Sequence, residues 1–232
     1  MSLPEPIDDD IWLVDGANVS FFGFPYSTRS VIIRLPGGEL WVWSPIEASE
    51  ELFSALDGLG SVAHLVSPNK IHHLFLRQWK DRYPGAAIWG PESTIAKRRD
   101  LAFEGALEDV SPPQWAECID QAWFRGSAVM DEVVFFHRPS RTVILADLSE
   151  NFSNDFLDRY WSAWKRAIAR VWKIERGFAP LEWRLSFFNR APARLALRKM
   201  LDWDPLRVIM AHGEWQRDGG RAYLERVFAW LD

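Results

Sequence analysis

The sequence predicts a layered α/β protein with mixed β-sheets, and three observations favour this fold class. Two apolar, β-type runs at 29–35 and 39–43 flank a Pro-Gly-Gly turn, which is the pattern of a hairpin. Strand and helix patterns then alternate, beginning with the apolar run at 62–66. Further strands and helices follow a second predicted hairpin around 137–141. Hairpins followed by strand–helix alternation are typical of helices packed on sheets with antiparallel and parallel strands.

Each predicted element has a local signal in the sequence. Strands are short runs rich in β-branched and aromatic residues, expected at 11–15, 29–35, 39–43, 62–66, 86–89, 115–119, 122–124, 132–136, 142–145 and 205–211. Helices show apolar residues at three- and four-residue spacing, expected at 48–56, 72–82, 91–99, 154–175, 193–201 and 220–231. The helix after 62–66 is predicted to open on two adjacent histidines and to stop at Tyr83-Pro84-Gly85.

Composition restricts the classes of function. The chain has 232 residues, a net charge of −5 and a hydrophobic share of 48 %, which is ordinary for a soluble globular protein. A negative chain is a poor general binder of nucleic acid. The single cysteine, Cys118, cannot form an internal disulfide, and the acidic start does not resemble a signal peptide, so we expect a cytoplasmic protein. No apolar run reaches the ~20 residues of a membrane span.

Three predicted strands end in potential metal ligands. His72 and His73 follow the first, Asp147 follows the second and His212 follows the third. Because strand ends of one sheet lie side by side, these side chains are expected to converge. Imidazole and carboxylate ligands suit zinc, and they suit iron or manganese as well. Each residue also has an ordinary interpretation: a solvated helix start, a helix cap or a turn.

The order of these pieces resembles the metallo-β-lactamase (MBL) superfamily and, within it, the DUF4336 family. The segments that carry the resemblance are IWLVDG, SVIIRLPGGELWVWSPIE, VSPNKIHH, EVVFFHRPSRTVILADL and VIMAHGE. The resemblance implies a four-layered αββα sandwich with two mixed sheets flanked by helices. It implies a single domain over residues 1–232, with a basic helical insert at about 153–203. It also implies a metal-dependent hydrolase acting on a small molecule.

Several positions depart from the superfamily's HxHxDH motif. Laid on VSPNKIHH, the two leading histidines fall on Pro68 and Lys70, while the aspartate and last histidine fall on His72 and His73. The region of the next family histidine, 126–130, contains none, and the strand-end aspartate of the first family motif falls on Ser44. The resemblance therefore implies that one metal site is lost and that one divalent ion is held by four residues: His72, His73, Asp147 and His212. Zinc is the expected ion, with iron or manganese as alternatives, and no metal if the site is dead.

The resemblance also assigns roles around this site. Asp147 is the predicted catalytic residue, as a metal ligand and as the acceptor of a proton from the attacking water. Lys70 would lie near the vacated site and could hold Asp147 or an anionic substrate. Asn69, Glu132 and Glu47 are expected around the ligands or the substrate. For each of these four, an ordinary surface or turn position is the competing interpretation.

The segment from Phe156 to Asp202 is strongly basic. It contains eleven Lys or Arg residues and four Asp or Glu residues, a net charge of +7, which leaves −12 for the rest of the chain. One interpretation is a lid that selects an anionic substrate. The alternative function is a non-catalytic MBL-fold protein that binds a partner or an anionic membrane surface through this Trp- and Arg-rich insert. The third interpretation is an electrostatic match to the acidic remainder of the chain or to a second subunit of a homo-oligomer.

Overall fold

The computed structural model describes residues 2–232 as eleven strands and eight α-helices. The strands are β1 (Glu5–Asp8), β2 (Ile11–Phe21), β3 (Phe24–Arg34), β4 (Glu39–Trp43), β5 (Ser61–Val66), β6 (Ala87–Gly90), β7 (Gly105–Ala106), β8 (Ile119–Phe124), β9 (Glu132–His137), β10 (Thr142–Leu145) and β11 (Arg207–Met210). The helices are α1 (Glu50–Leu59), α2 (Leu76–Arg82), α3 (Glu92–Lys97), α4 (Asn154–Tyr160), α5 (Ala163–Trp172), α6 (Leu181–Leu185), α7 (Ala191–Asp202) and α8 (Gly220–Val227). Two 3-10 turns, Ile174–Arg176 and Ala229–Leu231, complete the elements.

Both sheets are mixed, as the sequence predicted. The seven-stranded sheet runs in chain order from β1 to β7, with antiparallel pairs up to β4 and parallel pairs from β4 onwards. The four-stranded sheet has the order β11-β10-β9-β8, and only the β10–β11 pair is parallel. The predicted hairpin around the Pro-Gly-Gly turn is the β3–β4 pair, with Arg34 opposite Leu40.

Alternation of side chains along the strands builds four layers. In β9, Val133 and Phe135 face the apolar layer between the two sheets, while Val134 and Phe136 face the helices outside. Ile32 of β3 faces the opposite outer layer, against α1 and α2. Aromatic side chains pack between the two sheets, as in the contact of Trp41 with Phe135, whose ring centroids are 5.0 Å apart. The predicted αββα sandwich is confirmed.

The element after β5 differs from its prediction. Helix α2 begins at Leu76, so His72 and His73 lie in the preceding turn and do not open the helix. Polar side chains hold the chain in this turn: the Ser67 hydroxyl donates to the carbonyls of Asn69 and His72, and the Asn69 Oδ1 accepts from the Ile71 amide. Such side-chain bonds compete with helical ones, and the helix therefore starts late.

The predicted helix at 154–175 is two helices. Trp161, between α4 and α5, is extended (φ −110°, ψ 133°), and its buried indole donates to the carbonyl of Pro25 at 2.8 Å. Ser162, also extended, precedes α5. The tertiary contact of Trp161 with Pro25 therefore interrupts the single helix that the regular apolar spacing predicts. None of the helices in residues 2–232 combines the length and apolar character that crossing a bilayer requires.

Candidate metal centre

Three side chains meet where strands of both sheets end. His72 lies in the turn after β5, while Asp147 and His212 each follow their strand, β10 or β11, by two residues. In the parallel pair Leu145 is opposite Met210, so equal extensions bring Asp147 and His212 to the same level. One potential ligand atom from each of the three residues lies within 4.8 Å of the other two.

The carboxylate of Asp147 stands between the two imidazoles. His72 Nε2 is 3.1 Å from Asp147 Oδ2, and His212 Nε2 is 3.2 Å from Asp147 Oδ1. All three side chains are more than 90 % buried. Buried imidazole and carboxylate groups that converge in this way form the kind of donor set that holds a transition metal.

Both imidazoles are oriented through their second nitrogen. His212 Nδ1 donates to the carbonyl of Ser27 at 2.6 Å, and His72 Nδ1 is hydrogen-bonded to Ser44 Oγ at 2.8 Å. These contacts turn the Nε2 atoms towards Asp147. Ser44 has a left-handed backbone (φ 49°), an uncommon state for a non-glycine residue, directly after β4. Outer hydrogen bonds to Nδ1 are the usual support of metal-binding histidines.

Asp147 is held from behind by two predicted residues. Asn69 Nδ2 donates to Asp147 Oδ2 at 2.7 Å and to Glu132 Oε2 at 2.9 Å. The Glu132 carboxyl accepts from the backbone amides of Ala146 and Asp147. The structure thus places Asn69 and Glu132 in contact with the predicted ligand Asp147 or its backbone.

The two buried carboxyls have opposite pKa shifts. Burial, followed by the charge of Asp147, raises the pKa of Glu132. Burial opposes ionisation of Asp147 too, but the charges and hydrogen bonds of His72 and His212 outweigh it and lower the pKa of Asp147. The negative charge of the pair is therefore concentrated on Asp147, between the imidazoles.

The structure does not bring His73 into this group. Its imidazole Nδ1 is 3.2 Å from Arg98 Nη1, and its carbonyl accepts from the same guanidinium at 2.7 Å. Burial, with the charges of Lys97 and Arg98, lowers the pKa of His73 to about 4. Consecutive residues in a helical turn point about 100° apart, so only one of two adjacent histidines faces the strand ends.

Of two further residues predicted near the site, Lys70 lies at the cavity and Glu47 does not. Lys70 is half-buried and lines a cavity above the three-residue group. Glu47 is exposed and is not among the residues that line this cavity, so the structure gives it no place at the site.

The cavity is about 480 Å³ in volume and largely apolar. His72, Asp147 and His212 form part of its wall. Four insert residues also line it: Trp172, Pro180, Glu182 and Trp183. None of the eleven basic side chains of the insert lines this cavity, which corrects the expectation of a basic lid over the site. The insert contributes aromatic and acidic surface there.

Sequence reasoning missed other residues of the site. The contribution of Ser27 could not be predicted from the sequence, because it orients His212 through its backbone carbonyl, which every residue type has. Ser44 was identified only as the position of the strand-end aspartate of the first family motif and was given no role, although it stands directly after the run ELWVW. Glu150 is 2 % exposed and lines the cavity. Its signal in the sequence was a charged residue three positions after Asp147, close to the end of a predicted strand. Tyr26 packs edge-on against the His212 ring, with centroids 5.0 Å apart.

Solved structures with the same architecture define the class of fold. DIM-1 metallo-β-lactamase exposed to ceftazidime superposes with a TM-score of 0.64 and 13 % identity, over 98 % of this chain and 95 % of that one. The metallo-β-lactamase from Pontibacter korlensis gives 0.65 and 12 %, over 98 % and 97 %, and that from Hirschia baltica gives 0.62 and 15 %, over 99 % and 98 %. At these identities the likeness establishes the fold alone, which is the metallo-β-lactamase fold.

The sequence profile of DUF4336, described as a domain of unknown function, matches residues 8–159. Since the match covers more than half of the chain, the chain belongs to the DUF4336 family. A search of curated proteins finds no match.

Proposed function

We propose that this protein is a hydrolase that binds one divalent metal ion through His72, Asp147 and His212. The observation that carries the proposal is the pair of Nδ1 hydrogen bonds, which fix both imidazoles with Nε2 towards a buried carboxylate. Three protein ligands, where four were expected from the sequence, fit a catalytic site, because catalytic zinc sites keep one position open.

The donor set fits zinc and also fits iron and manganese. Two imidazoles and one carboxylate are common to hydrolytic zinc sites and to non-haem iron sites. A divalent ion held there would polarise a carbonyl or phosphoryl oxygen of the substrate. The chain's own residues orient the ligands and shield them from solvent, since all three side chains are more than 90 % buried at the wall of a largely apolar cavity. Asn69 and Glu132 keep Asp147 in place, and Asp147 is the proposed proton acceptor.

Lys70 supports a substrate with an anionic group. The residue lines the cavity, and no ion pair within residues 2–232 joins it to a carboxylate. An ammonium without a protein partner beside an apolar cavity favours a phosphate or carboxylate on the ligand. The proposed positive contact is therefore Lys70 and no residue of the insert.

Hydrolysis of chromogenic esters and phosphoesters tests the proposal. We expect chelator-treated protein to be inactive and protein reloaded with zinc, iron or manganese to hydrolyse at least one class. Asp147→Asn should lower the rate by 100-fold or more, because a metal ligand and a proton acceptor are lost together. Glu47→Gln is the matched control, because this exposed carboxylate lies outside the cavity. Equal rates for Asp147→Asn and wild type would contradict the proposed mechanism.

The second candidate is a non-catalytic protein that docks on an anionic membrane. Its supporting observation is α5, where Trp164 is 59 % and Val171 63 % exposed among Lys165, Arg166 and Arg170. Cosedimentation with phosphatidylserine vesicles distinguishes the candidates. Metal-free protein that binds these vesicles and hydrolyses nothing after reloading would favour the second candidate.

A further inference from the structure

The wall of the cavity includes a carboxyl group that the proposed reaction does not use. Glu150 is 2 % exposed and lines the cavity, and its Oε2 has no hydrogen-bond partner within residues 2–232. None of the ion pairs in this part of the chain involves Glu150. The Tyr26 hydroxyl lies beside this carboxyl group, but Oε2 is left without a partner. An unpaired oxygen in a buried position is costly, so Oε2 calls for a ligand that supplies a partner.

The surroundings of Glu150 are negative. Burial, then the charges of Asp147 and Glu182, raises the pKa of Glu150. Glu182 lines the same cavity, from the helix α6 of the insert. Arg29, a permanent cation of the cavity wall, is engaged elsewhere: it donates to Asp15 and to the carbonyls of Met210 and Gly213.

The apolar wall around this acidic pair is aromatic. Phe24, Tyr26, Trp172 and Trp183 all line the cavity. Burial, and next the charge of Glu150, raises the pKa of Tyr26, which reflects the proximity of the phenol and the carboxyl group. Aromatic faces attract cations, with an effect that grows when water is excluded.

We propose that Glu150 and Glu182, with the aromatic wall formed by Phe24, Tyr26, Trp172 and Trp183, bind the ammonium group of an apolar amine. The inference extends the proposed function, since Lys70 would contact an anionic group of the same ligand. The substrate class is then an apolar molecule that carries both an amine and an anionic group. The amine site itself needs no metal ion.

Isothermal titration calorimetry with a series of matched probes tests the inference. The probes are 4-phenylbutylammonium and its neutral counterpart 4-phenylbutanol, each titrated into reloaded and chelator-treated protein. We expect the ammonium to bind wild-type protein at least tenfold more tightly than the alcohol in both preparations. Glu150→Gln should remove this preference, because the amide keeps the shape but cannot ionise to the carboxylate that pairs with an ammonium group.

Two further variants keep the test decisive. Glu182→Gln should weaken ammonium binding by a smaller factor, because Glu182 is exposed to solvent, and this variant serves if Glu150→Gln fails to fold. Glu117→Gln changes an exposed carboxylate that does not line the cavity, and it should leave the affinity unchanged. Equal binding of both probes, or an undiminished preference in Glu150→Gln, would overturn the inference. Loss of metal binding with the ammonium preference retained would count against the proposed function alone.

Discussion

His72 and His73 are neighbours in the sequence, yet their imidazoles have different surroundings. The first faces Asp147 and is hydrogen-bonded to Ser44, while the second faces Arg98. The sequence could predict that this pair supplies a ligand, but two candidates remained, because the choice depends on the turn geometry that Ser67 and Asn69 impose. The proximity of His212 and Asp147 was predictable, since each lies two residues after the end of a buried strand.

A residue far from the candidate centre predicts how stability depends on pH. His137 is 1 % exposed and its Nδ1 is 2.8 Å from Ser140 Oγ. Burial, opposed by the charges of Asp10 and Asp8, lowers the pKa of His137 to about 4. The unfolded chain, with an ordinary pKa near ~6.5, therefore binds the proton first as the pH falls. This contribution to stability is complete above pH ~6.5 and is lost as the pH falls towards 4.

We predict that His137→Gln makes the free energy of unfolding less dependent on pH between ~6.5 and 4. The difference from wild type should reach roughly 3 kcal/mol at the acidic end, from a pKa difference of ~2.5 units. Urea unfolding at several pH values measures it. Ser140→Ala is the control, because it removes the hydrogen bond and keeps the titrating ring. Parallel pH profiles for His137→Gln and wild type would contradict this prediction.

At the scale of elements, the sequence predicted those helices and strands whose boundaries depend on residues close by in the chain. The β3–β4 hairpin follows from a Gly-containing turn between two β-type runs, and it was predicted correctly. The break between α4 and α5 follows from a contact of Trp161 with Pro25, a residue 136 positions earlier, and no local pattern carries it. The late start of α2 is intermediate between a locally determined and a tertiary feature. Ser67 and Asn69 are polar turn residues that the sequence shows, but their hydrogen bonds in the turn could not be predicted from it.

The contact between the segment after β11 and the segment before the insert gives a prediction at this scale. Gly213 has φ 86° and forms a β-bridge with Asn151, and a Cβ atom on Gly213 would overlap the Asn151 carbonyl oxygen. We expect Gly213→Ala to lower the free energy of unfolding by ~2 kcal/mol or more, and to displace the adjacent His212.

Gly219→Ala is the matched control for this substitution. Gly219 is also left-handed (φ 61°), but no atom lies within 4 Å of the position of its Cβ. Gly219→Ala should lower the free energy of unfolding only by the cost of a left-handed backbone at alanine, ~1 kcal/mol. Chemical unfolding of both variants compares the two values. A Gly213→Ala variant as stable as Gly219→Ala would show that the Asn151 contact relaxes freely.

At the scale of the whole molecule, layering was predictable and the cavity was not. Period-two alternation in strands such as β9 assigns side chains to the inner or outer layer directly from the sequence. The cavity is different, because its wall is assembled from segments as distant as Phe24, Lys70, Glu150, Trp183 and His212. The charge asymmetry of the insert was visible in the sequence, but the residues that it contributes to the cavity wall are Trp172, Trp183, Pro180 and Glu182, and none of its basic residues lies there.

The metal content of the intact protein tests the central claim most directly. Elemental mass spectrometry would be applied to wild type, His72→Ala and His73→Ala, each purified and reloaded under the same conditions. We predict close to one zinc, iron or manganese ion per chain in wild type and His73→Ala, and at least a tenfold loss in His72→Ala, because only His72 faces Asp147 and His212. A wild-type protein without metal, or equal loss in the two histidine variants, would contradict the three-residue centre.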